Sequence, residues 1–254
     1  MMKNVILRAK NVCKSFYQGS EETQILKSVT TDIYEGDFTV IMGASGAGKS
    51  TLLYALSGMD SITSGEVIFK EQKINNLSEK EQAVLRAKEF GFIFQQMHLV
   101  SNLTLFENIA VAGYAGESKN IKDIQEKTMK WMQQMNIDGV KNHLPSQVSG
   151  GEAQRAAIAR AMINNPQLIF GDEPTGALNK SSSEEVLNLL TGFNKNGQSI
   201  LMVTHDIKAA IRGNRILYLE DGKILDELDL AAYQEDNAKT REAKVNDWLT
   251  ALQW

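Results

Sequence analysis

Gly43-Ala44-Ser45-Gly46-Ala47-Gly48-Lys49-Ser50 fits the phosphate-binding loop pattern G-x-x-x-x-G-K-[ST]. Phe38-Thr39-Val40-Ile41-Met42 before it is apolar and β-branched, and reads as a buried strand. Thr51-Leu52-Leu53-Tyr54-Ala55-Leu56 after it reads as the start of a helix. Strand, glycine-rich loop and helix are the context the motif requires. Glycines let the backbone curl so that successive N–H groups face phosphate oxygens, and the helix start adds its positive dipole end. Lys49 supplies a mobile charge for β- and γ-phosphates, and Ser50 a hydroxyl for Mg²⁺. The plain alternative is a glycine turn that matches by chance, which these flanks disfavour.

Upstream, residues 5–16 and 25–34 carry β-branched and apolar segments around the polar turn Gln18-Gly19-Ser20-Glu21-Glu22. They read as an antiparallel hairpin with Phe16 and Tyr17 at its tip. An aromatic there either stacks on an adenine ring or packs in the small sheet. Downstream, residues 64–69 read as a strand, and residues 75–88 as a helix with Ser78 and Glu81 in capping-box spacing. Phe90-Gly91-Phe92-Ile93-Phe94 is a second buried strand, ending at Gln95-Gln96. Ligands of α/β sheets bind at such carboxyl ends, although a loop amide is the plain alternative.

Strand patterns then vanish, and residues 104–112, 121–135 and 152–164 read as helices. Val148-Ser149-Gly150-Gly151-Glu152 opens the last of them. Ser149 and Glu152 make a capping box, but the glycines are unnecessary for a cap and allow an anion close to the helix start. Leu168-Ile169-Phe170-Gly171-Asp172-Glu173 is a third buried strand ending in two carboxylates. After a phosphate loop, Asp172 is placed to support Mg²⁺ and Glu173 to act on an attacking water, unless both are simply solvated before Pro174. Residues 184–193 form an amphipathic helix, and residues 199–204 a fourth buried strand ending at His205. His98 and His143 lie in polar loops and read as solvated. Arg215 to Ile224 reads as a hairpin turning at Asp221-Gly222. The charged tail ends with Val245, Trp248, Leu249 and Leu252 on one helical stripe, able to dock on this chain, a second copy or a partner.

Composition sets the class. Of 254 residues, 43% are hydrophobic and 23% charged, which is globular rather than disordered. A net charge of −4 gives no basic footprint, so no nucleic-acid partner is expected. The single cysteine, Cys13, allows no intrachain disulfide, reads as a small buried hydrophobe, and fits a reducing compartment. No apolar run reaches membrane-spanning length, and Met1 to Arg8 is not a signal peptide. A cytoplasmic chain is expected, with any membrane span carried by another protein.

The phosphate loop, Gln95, Ser149 to Glu152, Asp172-Glu173 and His205 stand in an order that resembles the ATP-binding-cassette (ABC) ATPase family, over residues 5–225. Phe92 to Gln96, Asn102-Leu103-Thr104 with Glu107-Asn108, and Glu173-Pro174-Thr175-Gly176-Ala177-Leu178 look like one branch of it. That branch holds lipoprotein-release, macrolide-efflux, cell-division and antimicrobial-peptide-resistance ATPases. The Trp248 to Trp254 ending looks most like the antimicrobial-peptide-resistance members. The resemblance implies an α/β phosphate-loop NTPase (RecA-like) core with an antiparallel β subdomain and an inserted α-helical subdomain. As one ABC ATPase domain over 1–254, the core and β subdomain would be 1–98 and 165–228. The helical subdomain would be 99–164 and the tail 229–254.

The resemblance also implies roles. Phe16 stacks on adenine, residues 43–50 cradle the phosphates, and Thr51 lies near the α-phosphate. Gln95 contacts Mg²⁺ or the attacking water, Asp172 supports Mg²⁺, Glu173 is the general base, and His205 contacts the γ-phosphate. Ser149, Gly150 and Gly151, with Glu152 in the same segment, bind the γ-phosphate of an ATP held by a second copy. The expected protein is an ATPase with ATP and Mg²⁺ as cofactors, dimerising around two ATPs. It would drive a transmembrane permease on a separate chain from the inner face of the membrane. The same motifs would serve a mechanical or signalling module that activates a membrane partner without transport. Asn179 stands where the family usually has Asp.

Overall fold

The computed structural model describes residues 3–116 and 120–254, so Met1 and Met2 of the N-terminal reading lie outside it. In chain order the elements begin β1 (Val5–Gln18), β2 (Glu21–Tyr34), β3 (Phe38–Met42), α1 (Lys49–Leu56), β4 (Ser64–Phe69) and β5 (Gln72–Lys73). Next come α2 (Glu79–Glu89), β6 (Phe90–Phe94), α3 (Leu105–Ala115), α4 (Ile121–Gln134), α5 (Gly150–Met162) and β7 (Leu168–Asp172). The chain closes with α6 (Lys180–Lys195), β8 (Ser199–Val203), α7 (Ile207–Ala210), β9 (Arg215–Glu220), β10 (Lys223–Asp229) and α8 (Ala238–Ala251). They fall into two compact units, Met1–Ser78 with Thr191–Trp254, and Glu79–Leu190.

The first unit holds an antiparallel sheet in the order β2-β1-β4-β5 and the strand series β10-β9-β3-β8. β3 is parallel to both β8 and β9, and all five of its residues are buried. A strand flanked on both sides and covered on both faces must be a continuous apolar run. Burying Phe38, Val40, Ile41 and Met42 contributes roughly 6–12 kcal/mol of gross transfer free energy. That outweighs any local propensity, so β3 is fixed by burial. β9 and β10 join through Asp221 (φ 46°) and Gly222 (φ 76°), the two left-handed residues a type I′ turn needs.

The second unit pairs β6 and β7 in parallel, with Phe94 opposite Asp172. α3 and α5 begin with complete capping boxes, Thr104 with Glu107 and Ser149 with Glu152. The Glu152 carboxylate accepts bonds from the Ser149 hydroxyl (2.7 Å) and N–H (2.8 Å), which hold its carboxyl below the usual glutamate range. This unit takes in α2, β6 and β7 as well as the helices expected over 99–164. α5 is hydrogen-bonded to both strand ends, so strands and helices cluster together. The helix expected over 75–88 begins only at Glu79. The Asn75 carboxamide oxygen instead accepts the Val67 N–H at 2.9 Å, tying that segment to β4.

The tail helix docks on its own unit. Val245 and Leu249 are fully buried, while Trp248 and Leu252 are half-buried and Trp254 is exposed. Trp248 Nε1 donates to Asp226 at 2.8 Å, and its ring meets Tyr218 edge-on. The centre of the dock is Arg241, 5% exposed, which donates to the carbonyls of Ile211, Gly213 and Ala231. Cys13 is half-exposed rather than buried, and its sulfur accepts the Ser28 N–H at 3.2 Å. Arg241→Met unpairs those carbonyls and is expected to lower unfolding stability by about 2–4 kcal/mol in urea titration. Trp254→Ala, at an exposed position, is expected to change it by less than about 0.5 kcal/mol.

Candidate active site

The phosphate loop and His205 lie in the first unit, where β3 delivers the chain into the loop at Gly43. A Cβ at Gly43 would stand 2.0 Å from the Leu219 carbonyl oxygen of β9, so only glycine fits. Ala44, Ser45 and Gly46 are exposed at the rim, while Ala47 is buried beneath. The Gly222 N–H donates to the Ala47 carbonyl at 3.2 Å, and the Gly222 carbonyl accepts the Lys27 N–H at 2.9 Å. The β9–β10 turn thus braces the loop from behind and ties it to β2.

Gly48 enters α1 in the left-handed conformation (φ 98°), and no side chain caps the helix start. A helix start without a side-chain cap suits an anion. The Lys49 ammonium donates to the carbonyls of Gly43 (2.8 Å) and Ala44 (2.9 Å), holding its charge at the loop mouth. Ser50 and Thr51 follow, both half-buried in the first turn.

His205 follows β8, beside the end of β3, where the Thr204 N–H donates to the Ile41 carbonyl at 3.1 Å. Its exposed ring is preceded by buried Thr204 and followed by Asp206, whose carboxylate caps α7. Phe16 sits on β1 opposite Thr23 of β2, and Ile25, two residues along β2, packs against Gly48. Those two steps are roughly 7 Å along β2, so the partner of Phe16 lies two residues from the residue that meets the loop.

Gln95, Asp172, Glu173 and residues 149–152 lie in the second unit. Register puts Gln95 and Glu173 directly after the paired strand ends Phe94 and Asp172. Asp172 is half-buried, and Gln95 is exposed, its amide lying against Gly176, where a Cβ would be 2.9 Å from Nε2. Glu173 has φ 47°, a conformation that costs a residue with a Cβ about 1 kcal/mol or more. It lies in a turn closed by the Gly176 N–H on the Glu173 carbonyl at 2.9 Å.

The two glycines at the start of α5 differ. A Cβ at Gly151 would meet Ser182 Oγ of α6 at 2.7 Å, so packing within the chain favours glycine there. A Cβ at Gly150 would meet nothing closer than Leu178 at 3.6 Å, and Gly150 is exposed. Among the described residues nothing requires glycine at 150, the first residue of the helix. Asn179 keeps a capping role, its side-chain oxygen accepting the Ser182 N–H at 2.9 Å.

Sequence reasoning missed Gln154 and Arg160, both on α5. Gln154 is fully buried, and its amide donates to the carbonyls of Phe94 (3.2 Å) and Pro174 (2.7 Å). Arg160 donates to the carbonyls of Met97 (2.7 Å) and His98 (2.6 Å), fixing the segment after Gln95. Polar residues inside an alanine-rich helix were the available signal.

The ABC transporter family model matches residues 26–176. Over 225 residues the chain is 40% identical to the macrolide export ATP-binding/permease protein MacB of Pasteurella multocida. That match covers 89% of this chain and 34% of MacB, so the chain spans about a third of that relative's length. Two structures of the bacterial ABC transporter cassette MJ0796 superpose with TM-score 0.83 at 37% and 38% identity, covering 89% of this chain and all of theirs. Both are described as dimers, one in a post-hydrolysis state bound to ADP and Pi. The chain therefore belongs to the ABC transporter family, as one of its ATP-binding cassette ATPases.

Proposed function

We propose that this cassette hydrolyses ATP as one half of a dimer that closes around two nucleotides and drives a separate transmembrane permease. It would work at the inner face of the membrane. The observation that carries the shared site is Gly150, a glycine at an exposed helix start that its own chain does not require. A γ-phosphate from a second copy's loop would explain it, since backbone without a Cβ lets an anion reach the helix N–H groups. The dimers described for MJ0796 support the same assembly. Likeness to the macrolide export protein MacB supports an export role, and our reading extends it to lipoprotein export or resistance to antimicrobial peptides.

In this reading Phe16 stacks on adenine, and residues 43–51 hold the phosphates. Lys49 exchanges its two carbonyl partners for β- and γ-phosphate oxygens. Glu173 accepts a proton from the attacking water as its general base, and Gln95 and His205 orient the water and the γ-phosphate. Ser149, Gly150 and Gly151 complete the site from the partner copy, with Glu152 fixing Ser149. Ser50, Asp172 and Gln95 offer oxygen donors that suit Mg²⁺, which takes few protein ligands beside phosphates. When bound, Mg²⁺ neutralises charge on the β- and γ-phosphates. Among the described residues no helix is long and apolar enough to cross a membrane, so this reading assigns the span to the permease.

Glu173→Gln is expected to keep ATP binding and reduce turnover by about 10²–10⁴-fold. On gel filtration with ATP it is expected to elute as a dimer. Unchanged hydrolysis would remove Glu173 as the base, and a monomer at saturating ATP would contradict the shared site. Lys49→Ala is expected to weaken ATP binding at least tenfold by calorimetry, and wild-type affinity would contradict the loop's role.

A further inference from the structure

Lys14 is 7% exposed on β1, where an unpaired ammonium would be costly. Its Nζ donates to the Asp60 carboxylate at 2.7 Å and to the Ser61 carbonyl at 2.6 Å, both beyond the end of α1. Phe16 is two residues on along β1. Nζ lies over the Phe16 ring, 4.9 Å from its centroid, within cation–π range. The ring stays 47% exposed. The register shifts between Lys14 and Ser15, so an irregularity in β1 falls where the pair is formed.

We propose that Lys14 is a positioning residue for nucleotide base recognition: anchored by Asp60 and Ser61, its ammonium fixes the Phe16 ring as a platform for adenine. The proposal rests on the reading of Phe16 as the base-stacking residue. An exposed phenylalanine otherwise rotates freely, and ordering it on binding reduces affinity. A cation fixed on the ring limits that rotation before the nucleotide arrives. It also draws ring electron density towards itself, which favours stacking of an electron-rich purine on the open surface. Asp60 and Ser61 lie just past α1, the helix that begins at Lys49, so base platform and phosphate loop share one support.

The test titrates the full chain with ATP and with inorganic triphosphate, which has no base. It uses wild type, Lys14→Met, Phe16→Leu and the double variant. Lys14→Met is expected to weaken ATP about three- to tenfold, the effect of one cation–π contact, and leave triphosphate affinity unchanged. On the Phe16→Leu background it is expected to have no further effect, because it acts through the ring. Equal weakening of both ligands would overturn the proposal, placing Lys14 on the phosphates. So would unchanged ATP affinity in Lys14→Met, or a loss that persists without Phe16. Normal ATP affinity in Phe16→Leu would instead remove the base-stacking reading, and the proposal with it. Should Lys14→Met fail to fold, Asp60→Ala frees the ammonium from its anchor and is expected to reproduce the same ATP-selective loss.

Discussion

A loop that binds phosphate through backbone N–H groups must be held from the side away from the ligand. Here that hold is the contact between Gly43 and the Leu219 carbonyl, where even a methyl group would be 2.0 Å from the oxygen. The Gly222 N–H on the Ala47 carbonyl adds a second point. Both come from the β9–β10 hairpin, whose strand β9 is hydrogen-bonded to β3. The strand delivering the chain into the loop and the turn bracing it thus belong to one parallel pair. With the backbone fixed, the proposed exchange of Lys49 from carbonyls to phosphate oxygens asks only for movement of its own flexible stem.

The second unit solves a different problem. Its chemistry-bearing residues follow two strand ends, and α5 is wired to both. Gln154 joins the Phe94 and Pro174 carbonyls, and Arg160 joins those of Met97 and His98. Rotation of α5 would therefore move the backbone next to Gln95 and Glu173. Through that buried amide the helix that starts after Ser149 is tied to the turn that holds Glu173.

Much of this was legible in the sequence. The strands at β3, β6, β7 and β8 are continuous apolar runs, because burial on both faces leaves no alternation to misread. The Asp221-Gly222 turn and the Ser149–Glu152 capping box carry their own local chemistry. What stayed hidden depends on distant partners. Lys14, Gln154 and Arg241 look like surface residues in a linear reading, yet each is buried because another segment supplies its acceptors. Glu173 was legible as a candidate to act on the attacking water, but its left-handed conformation, in the turn that follows, was not. The late start of α2 came from Asn75 bonding to β4, a contact no periodicity shows.

The central claim is that residues 149–152 of one copy complete the phosphate loop of another. It is tested by mixing an isotopically heavy Lys49→Ala chain, whose own loop is disabled, with a light Glu173→Gln chain. The mixture is illuminated with an ATP analogue carrying a photoreactive group on its γ-phosphate. The account expects label on heavy-chain peptides spanning 149–155, delivered by nucleotide held in the light chain's loop. Label confined to light chains when they are outnumbered by heavy ones would contradict it.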